Sequence, residues 1–370
     1  MNGRLAFVGG SGQRFEIGEF PVVEPKAHQV RVRILAAGVC GSDVHQVKGA
    51  VPFPGVFPSA AGHEMVGQVD ALGSARRVDS LGRELHVGDH VTFAYFRPCG
   101  ECPACAAGSP ACPNRYAARA GLSVNDVPHF HGAFGDFYFI LAEQWIYRIP
   151  DDLPVEIAAP ANCAVSQALY ALDRAGLKLG DSVVIQGLGG LGIYASAIAR
   201  DMGAGRVIGV EAVPERLAIA PRFGASDVVD INSLATPEAR IAEVQRFTGG
   251  AGADIVIEMA GVPQVVPEGI QYLRPGGRYI LIGNIVAGAA AQIVPETIVR
   301  RARELVGVVT YPKWVLPRAV GWLHRRRDAY PFEELVSETY TLEQINEAFA
   351  APAATNAKAR VGRAVISMTR

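Results

Sequence analysis

Four cysteines, Cys99, Cys102, Cys105 and Cys112, crowd into the segment CGECPACAAGSPAC. The spacing C-x2-C-x2-C-x6-C suits four thiolates wrapped around one tetrahedral Zn2+. Gly100, Pro103 and Gly108 supply the turns that would bring each sulfur within ~2.3 Å of the ion. Four protein ligands leave no vertex open, so the expected role is structural. The alternative is a set of free or redox-active thiols. A nucleic-acid-binding zinc ribbon is disfavoured, because a single knuckle here lacks a basic, aromatic-rich surround.

A second constellation is the turn Gly187-Leu188-Gly189-Gly190-Leu191-Gly192, which fits G-x-G-x-x-G. It follows the apolar run SVVIQ and opens the helical run IYASAIARDMG, the context a dinucleotide-binding turn requires. The first glycine allows the sharp turn, the second lets backbone approach a pyrophosphate, and the third lets helix pack on strand. The helix N-terminus then faces the phosphate charge. Glu211, 24 residues after Gly187, ends the run VIGVE. Its carboxylate is suited to accept from adenosine ribose hydroxyls and to repel a 2′-phosphate, which favours NAD over NADP. Arg216 tempers that preference, since a guanidinium pairs with phosphate. The competing reading is a glycine-rich turn with no ligand and a surface glutamate.

Cys40 in AAGVCGSDVH, His63 and Glu64 in AAGHEMVG, and Cys163 in PANCAVS are each unremarkable alone. A single His beside Gly is more often structural than a ligand, and a single Cys more often packing. Together Cys40, His63 and Cys163 supply Cys, His and Cys, which resembles a three-ligand zinc site with its fourth vertex open. Spacing does not establish that they meet.

These residues need elements to hold them. HQVRVRILAA alternates Val30, Val32 and Ile34 with polar neighbours, the period of a half-buried strand, and MVGQVDAL and HVTFAY are further short apolar runs between Gly, Pro and Asp. The first ~150 residues therefore read as strand-rich and irregular. From Val165 the pattern changes: VSQALYALDRAG is helical in period, and residues 181–211 give strand, glycine turn, helix and strand, a βαβ unit. ADIVIEMAG and GGRYILIGN continue as apolar strands ending in Gly. The tail YTLEQINEAFAAPAATNAKARVGRAVISM gives a capped helix, an Ala/Pro/Asn loop and one last strand, and Arg325–Arg327 read as a solvated helix face.

With 35 Lys and Arg against 36 Asp and Glu, net charge −1, and 49% hydrophobic residues, the composition excludes a mainly disordered chain and gives no basic excess for nucleic acid. No stretch approaches eighteen uncharged apolar residues, and the N-terminus has no secretion-signal pattern, so a cytoplasmic chain without membrane partners is expected.

GVCGSDVH, GHEMVG, the four-cysteine lobe, GLGGLG, and INEAFA with the closing GRAVIS occur in the order of the zinc-containing medium-chain dehydrogenase/reductases. The chain resembles that alcohol dehydrogenase superfamily over nearly its whole length. The resemblance implies an α/β architecture: a strand-rich GroES-like catalytic domain over 1–163 carrying the lobe at 99–112, a Rossmann doubly wound parallel sheet binding NAD over 164–305, and a return to the catalytic domain over 306–370. It implies that Cys40, His63 and Cys163 ligate a catalytic zinc. Glu64 becomes a near-metal carboxylate that exchanges with water, Ser42 and His45 the proton relay, and Asp43 the carboxylate that orients His63. Asp43 as a simple loop cap and His45 as a surface histidine stay open. Arg216 falls beside the adenosine ribose. Tyr95 is equally a pocket wall or a core tyrosine.

Three departures from the family pattern stand out. Six residues, where relatives commonly have seven, separate Cys105 from Cys112, so that loop must close more tightly. Gly41 replaces a basic residue that faces the pyrophosphate in some relatives, leaving that contact missing or supplied by Arg363. Residues 113–134 are unusual, with Tyr116, Phe130, His131 and Phe134 as candidates to shape the substrate pocket. The implied activity is reversible hydride transfer between a primary, secondary or polyhydroxylated alcohol and NAD, giving an aldehyde or ketone, in a homo-oligomeric enzyme, dimer or tetramer, with two zinc per chain. Two rivals remain: a metal-independent NADPH reductase of the same superfamily, and a non-catalytic NAD-binding protein.

Overall fold

The computed structural model describes residues 1–350 and 361–368. They fall into two compact units. One comprises Met1–Ser166, Thr310–Asp328 and the chain from Phe332 onward; the other comprises Gln167–Val309 and Ala329–Pro331.

The first unit is built on strands. β1 (Asn2–Val8) pairs antiparallel with β2 (Phe15–Pro21) on one side and, beyond β3 (Val30–Gly38), with the short β4 (Ser59–Ala60) on the other. β5 (Glu64–Leu72), β6 (His90–Phe93), β7 (Phe137–Ile140) and β8 (Ile146–Arg148) follow. The alternation of β3 does what its period predicts: Val30, Val32 and Ile34 are sealed in the core, while Arg31 turns to an ion pair with Asp70 at 2.6 Å. Around Leu5 and Val124 the aromatic rings of Phe130, Phe137 and Phe139 form a second packed cluster.

The second unit carries the βαβ pattern. β9 (Ser182–Gln186), β10 (Arg206–Glu211), β11 (Asp227–Asp230), β12 (Ala253–Glu258), β13 (Leu273–Leu281) and β14 (Glu304–Gly307) make one parallel sheet. Its order is β11-β10-β9-β12-β13-β14, the two mirrored halves of a Rossmann sheet. Val184, Ile208, Val210, Val256 and Tyr279 are buried together in its core. The inner strands β9, β10 and β12 are almost wholly buried because a parallel sheet has helices on both faces and no wet side, while the edge strands β11 and β14 are only partly covered.

The chain then returns to the first unit with β15 (Val336–Tyr340) and β16 (Arg363–Ser367). The large sheet of that unit runs β15-β16-β3-β5-β6-β8, with β7 also on β3. Thr341 starts the expected capped helix, Gln344 reaching back to its backbone N–H at 3.1 Å, and the helix proper is Ile345–Ala350. The Ala/Pro/Asn loop lies outside the described residues. No helix among the described residues is long and apolar enough to cross a membrane.

Candidate metal centre and dinucleotide turn

β3 ends at Gly38, and the chain turns at Cys40 into the helix Gly41–Val47. Asp43, in the first turn of that helix and fully buried, has a carboxylate that works in two directions. Oδ2 accepts the backbone N–H of Cys40 at 3.1 Å, and Oδ1 accepts from His63 Nδ1 at 2.8 Å. It is both a cap and an orienting group. With Nδ1 occupied, His63 presents Nε2 to Cys163 Sγ at 3.2 Å. Cys40, His63, Glu64 and Cys163 thus offer four donor atoms that all lie within 4.8 Å of one another. Chain positions 123 residues apart, from 40 to 163, converge inside the first unit.

The electrostatics are those of a place that wants a cation. A hydrogen bond from Cys163 and the neighbouring His63 hold the Cys40 thiol well below its ordinary value, against the opposing effect of burial. Cys163 is driven well above its own, because the bond it donates to Cys40 keeps its proton and burial disfavours a second thiolate. Burial pushes the Glu64 carboxyl up to about 7 against the pull of Arg363. Burial lowers His63, but Asp43 and Cys40 outweigh it and raise the imidazole well above its usual value. Glu64 Oε2 pairs with Arg363, while Oε1 is buried with no hydrogen-bond partner. An orphaned carboxylate oxygen and two sulfurs beside an oriented imidazole fit the donor chemistry of Zn2+.

Strand register explains how Arg363 arrives there. Gly38 stands opposite Glu64 in the β3/β5 pair and opposite Val365 in the β3/β16 pair. A Cβ at Gly38 would lie 2.8 Å from Glu64 Oε2, so only glycine leaves room for that carboxylate. Arg363, weighed in the sequence as a pyrophosphate contact, is here bonded to Glu64.

Ser42 Oγ lies 3.4 Å from Cys40 Sγ, and His45 is exposed in the last turn of the same short helix. Tyr95 is buried and its ring sits on His63 with centroids 4.6 Å apart. Two residues that sequence reasoning passed over brace the cluster. Asn162 donates its side-chain amide to the His63 carbonyl at 2.9 Å and to that of Phe93 at 3.0 Å, and Tyr311 donates its hydroxyl to the Asn162 carbonyl. Adjacency to Cys163 is the one signal that could have marked Asn162. Of the candidates in 113–134, Phe130 and Phe134 are packed core rings: Phe130 stands edge-on to Phe137, and Phe134 edge-on to Phe15. Neither is free to shape a pocket.

The four-cysteine lobe closes on itself. Cys112 Sγ is 3.6 Å from Cys99 and 3.8 Å from Cys102, and Cys99 is 4.0 Å from Cys105. Sulfurs ~2.3 Å from a tetrahedral centre stand ~3.8 Å apart, so the observed edges suit one ion. The six-residue loop does reach. Backbone N–H groups of Glu101 and Cys102 draw the Cys99 thiol down to about 6, while loss of solvation and the neighbouring sulfurs push Cys105 up to about 12. Thr310 Oγ1 donates to the Pro110 carbonyl at 2.8 Å and ties the lobe to the returning chain.

In the second unit the glycine turn behaves as its three positions require. Gly187 has φ +90° and abuts Ala260, where a Cβ would lie 2.8 Å from Cα. A Cβ at Gly192 would fall 1.9 Å from the Gly187 carbonyl oxygen, and the helix Gly192–Asp201 starts there, after Gly190 and Leu191. At Gly189 a Cβ would meet nothing nearer than Arg216, at 3.6 Å, so the middle of the turn is open for a close approach. Glu211 ends β10, nearly buried. Its oxygens accept the N–H groups of Leu188 and Ala212, both at 2.8 Å, and of Val213 at 3.1 Å, with Arg216 at 3.4 Å.

A GroES-like strand unit bearing a Cys/His/Glu/Cys cluster, with a Rossmann sheet bearing a glycine turn, is the architecture of an oxidoreductase. Residues 26–151 match the family model of the alcohol dehydrogenase GroES-like domain, and residues 190–325 that of the zinc-binding dehydrogenases. A 5-exo-hydroxycamphor dehydrogenase of Pseudomonas putida is 31% identical over 345 residues, 90% of this chain and 91% of the relative. The crystal structure of an alcohol dehydrogenase from Thermotoga maritima superposes with TM-score 0.91 at 26% identity, covering 99% of each chain. That of a zinc-binding dehydrogenase from Sinorhizobium meliloti, bound to NADP, does so with TM-score 0.84 at 25% identity, again covering 99% of each. The chain belongs to the zinc-type alcohol dehydrogenases of the medium-chain dehydrogenase/reductase family, and it is an oxidoreductase that acts on alcohols.

Proposed function

We propose that this protein is a zinc-dependent dehydrogenase that interconverts an alcohol and its aldehyde or ketone with NAD, working in the cytoplasm as a dimer or tetramer. The observation that carries the reading is the convergence of Cys40, His63, Glu64 and Cys163 within 4.8 Å around an unpartnered Glu64 oxygen. Cys40, His63 and Cys163 would hold the catalytic zinc, with Glu64 or a water as the exchangeable neighbour, and Cys99, Cys102, Cys105 and Cys112 a structural one. When bound, zinc supplies Lewis acidity that acidifies the alcohol hydroxyl, and NAD supplies the hydride acceptor.

The protein's own groups do the rest. Asp43 fixes the tautomer of His63 through Nδ1, so that Nε2 is aimed at the sulfurs. Ser42 Oγ, beside the Cys40 sulfur, would accept the alcohol proton while handing its own on, and exposed His45 on the same helix would take that proton and release it to water. Glu211 at the end of β10 supports NAD over NADP, and its approach to Arg216 leaves that guanidinium beside a carboxylate. The relative bound to NADP makes the coenzyme a point to measure.

The test is a panel of primary, secondary and polyhydroxylated alcohols assayed with NAD and with NADP, alongside metal analysis. Two zinc per chain and NAD reduction are expected, and Cys40→Ala or His63→Ala should abolish turnover while leaving NAD binding largely intact. Full activity in either variant after stringent metal removal would refute the mechanism. No bound metal with NADPH-dependent reduction of activated double bonds would favour the metal-independent rival, and dinucleotide binding without turnover the non-catalytic one.

A further inference from the structure

Residues 113–134 take no part in the chemistry above, yet they form one side of a recess in the first unit. It is an open recess, with about 280 Å³ of empty space that includes solvent, lined by Gly55, Ser59, Arg119, Leu122, Ser123 and His131 among others. Its two walls are fastened main chain to main chain: Val56 N–H donates to the Leu122 carbonyl at 3.0 Å, and Val124 N–H to that of Pro58 at 2.9 Å. At Gly55 a Cβ would lie 2.3 Å from the Leu122 oxygen, so this tight seam depends on glycine. The recess is therefore preformed.

Its side chains bring a cation and two hydroxyls, while the Leu122 and Arg119 carbonyls face Gly55 at the seam. The Arg119 guanidinium lies over the Tyr138 ring, 5.3 Å from the centroid, and donates to the Tyr138 hydroxyl; among the described residues no carboxylate pairs with it. A guanidinium has five N–H donors, so most of its capacity is unspent. Ser59, only 4% exposed, makes no side-chain hydrogen bond among the described residues. Ser123 Oγ accepts the N–H of Asn125 at 3.0 Å, which leaves its own proton to donate. His131 bonds through Nε2 to the Asp126 carbonyl at 3.3 Å. Burial, then Arg119 and His129, hold its imidazole down to about 4 despite Asp126. No carboxylate lines the recess. A half-buried cation and two nearly buried hydroxyls around one preformed hollow are complementary to a group rich in acceptor oxygens and carrying negative charge.

We propose that this recess binds an oxyanion, a phosphate or carboxylate group, seated on Arg119 with Ser59 and Ser123 donating to it. Ala60, in its wall, precedes His63 by three residues, so by chain length their Cα atoms stand no more than ~11 Å apart. That distance lets one molecule carry both the oxyanion and the alcohol. The substrate version of the proposal rests on the function proposed above; the anion site itself does not.

Two arms separate a free anion from a substrate's own group. In the first, thermal unfolding of the full-length protein is followed in inorganic phosphate against chloride at matched ionic strength. Phosphate should raise the Tm of the wild type, and Arg119→Met, which keeps the stem over Tyr138, should weaken phosphate at least tenfold, with Ser59→Ala weakening it severalfold. In the second, kcat/KM is compared for sorbitol and sorbitol 6-phosphate. A phosphate preference that Arg119→Met removes, with sorbitol unchanged, assigns the oxyanion to the substrate; equal rates alongside phosphate stabilisation assign it to a free ion. No phosphate effect on the wild type, or the same effect in both variants, overturns the site. Because the first arm needs no turnover, its failure is distinct from inactivity on the alcohol panel.

Discussion

At the Cys40/His63/Glu64/Cys163 cluster a single carboxylate decides how an imidazole is used. Asp43 holds His63 Nδ1 at 2.8 Å and Cys40 N at 3.1 Å, so two donors are oriented by one buried side chain. Asp43→Asn keeps the shape but supplies one acceptor and an unwanted amide donor toward one of them. Activity should fall about 10- to 100-fold, with zinc at the cluster retained less tightly, as measured by metal content after dialysis against a graded chelator. A merely structural Asp43 would leave chelator sensitivity at the wild-type level. Gly38 belongs to the same scale. Gly38→Ala would place a methyl group 2.8 Å from Glu64 Oε2, forcing that carboxylate off Arg363.

At the scale of elements, the four-cysteine lobe is a short loop with little apolar core of its own; only Cys112 of its thiols is buried. On the proposed function its order comes from shared coordination of zinc, with ties such as Thr310 to Pro110 adding to it. Cys112→Ser should lower the metal content from two zinc per chain to one and reduce Tm on the order of 5–10 °C, read by elemental analysis and calorimetry. An unchanged Tm would remove zinc from that role. This lobe and the glycine turn were legible from the sequence because their chemistry is local: four thiols within one loop, and strand, turn and helix in series. The Rossmann strands were legible for the same reason, as continuous apolar runs. What spacing could not show is long-range. The bond of Glu64 to Arg363 spans 299 residues and depends on which strand lies beside β3, and the bracing of His63 by Asn162 depends on the path of the chain before Cys163. Phe130 and Phe134 misled because an aromatic in an irregular segment carries no periodicity to say which way it faces.

Over the whole molecule, near-neutral charge hides strong local pairings that make stability depend on pH. Arg4 and Asp136, 132 residues apart, share two side-chain hydrogen bonds, at 2.8 and 3.2 Å, and the Arg4 N–H adds another at 2.8 Å. Burial alone would raise the Asp136 carboxyl, but these bonds and the Arg4 charge hold it below the usual carboxylate range. A depressed carboxyl stabilises the fold above its unfolded value of ~3.9, and that contribution disappears as pH falls through the lower folded value. Asp136→Asn should therefore cost on the order of 1 kcal/mol at pH 7 after solvent screening, with the gap from wild type narrowing below about pH 4 in urea titrations. A gap that is constant with pH would place the effect in packing instead. The position of β16 has a consequence for biosynthesis. It is wedged between the edge strand β15 and β3, with Val365 opposite Gly38, so that side of the sheet is completed by residues translated 327 positions after the strand they join. At ribosomal speeds of roughly 5–20 residues per second, nascent Glu64 waits tens of seconds for its guanidinium. A nonsense codon ahead of Arg363 would remove more than one strand: β15 would lose its link to the sheet, and the stretch of β3 from Ala36 to Gly38 would be left without its partner.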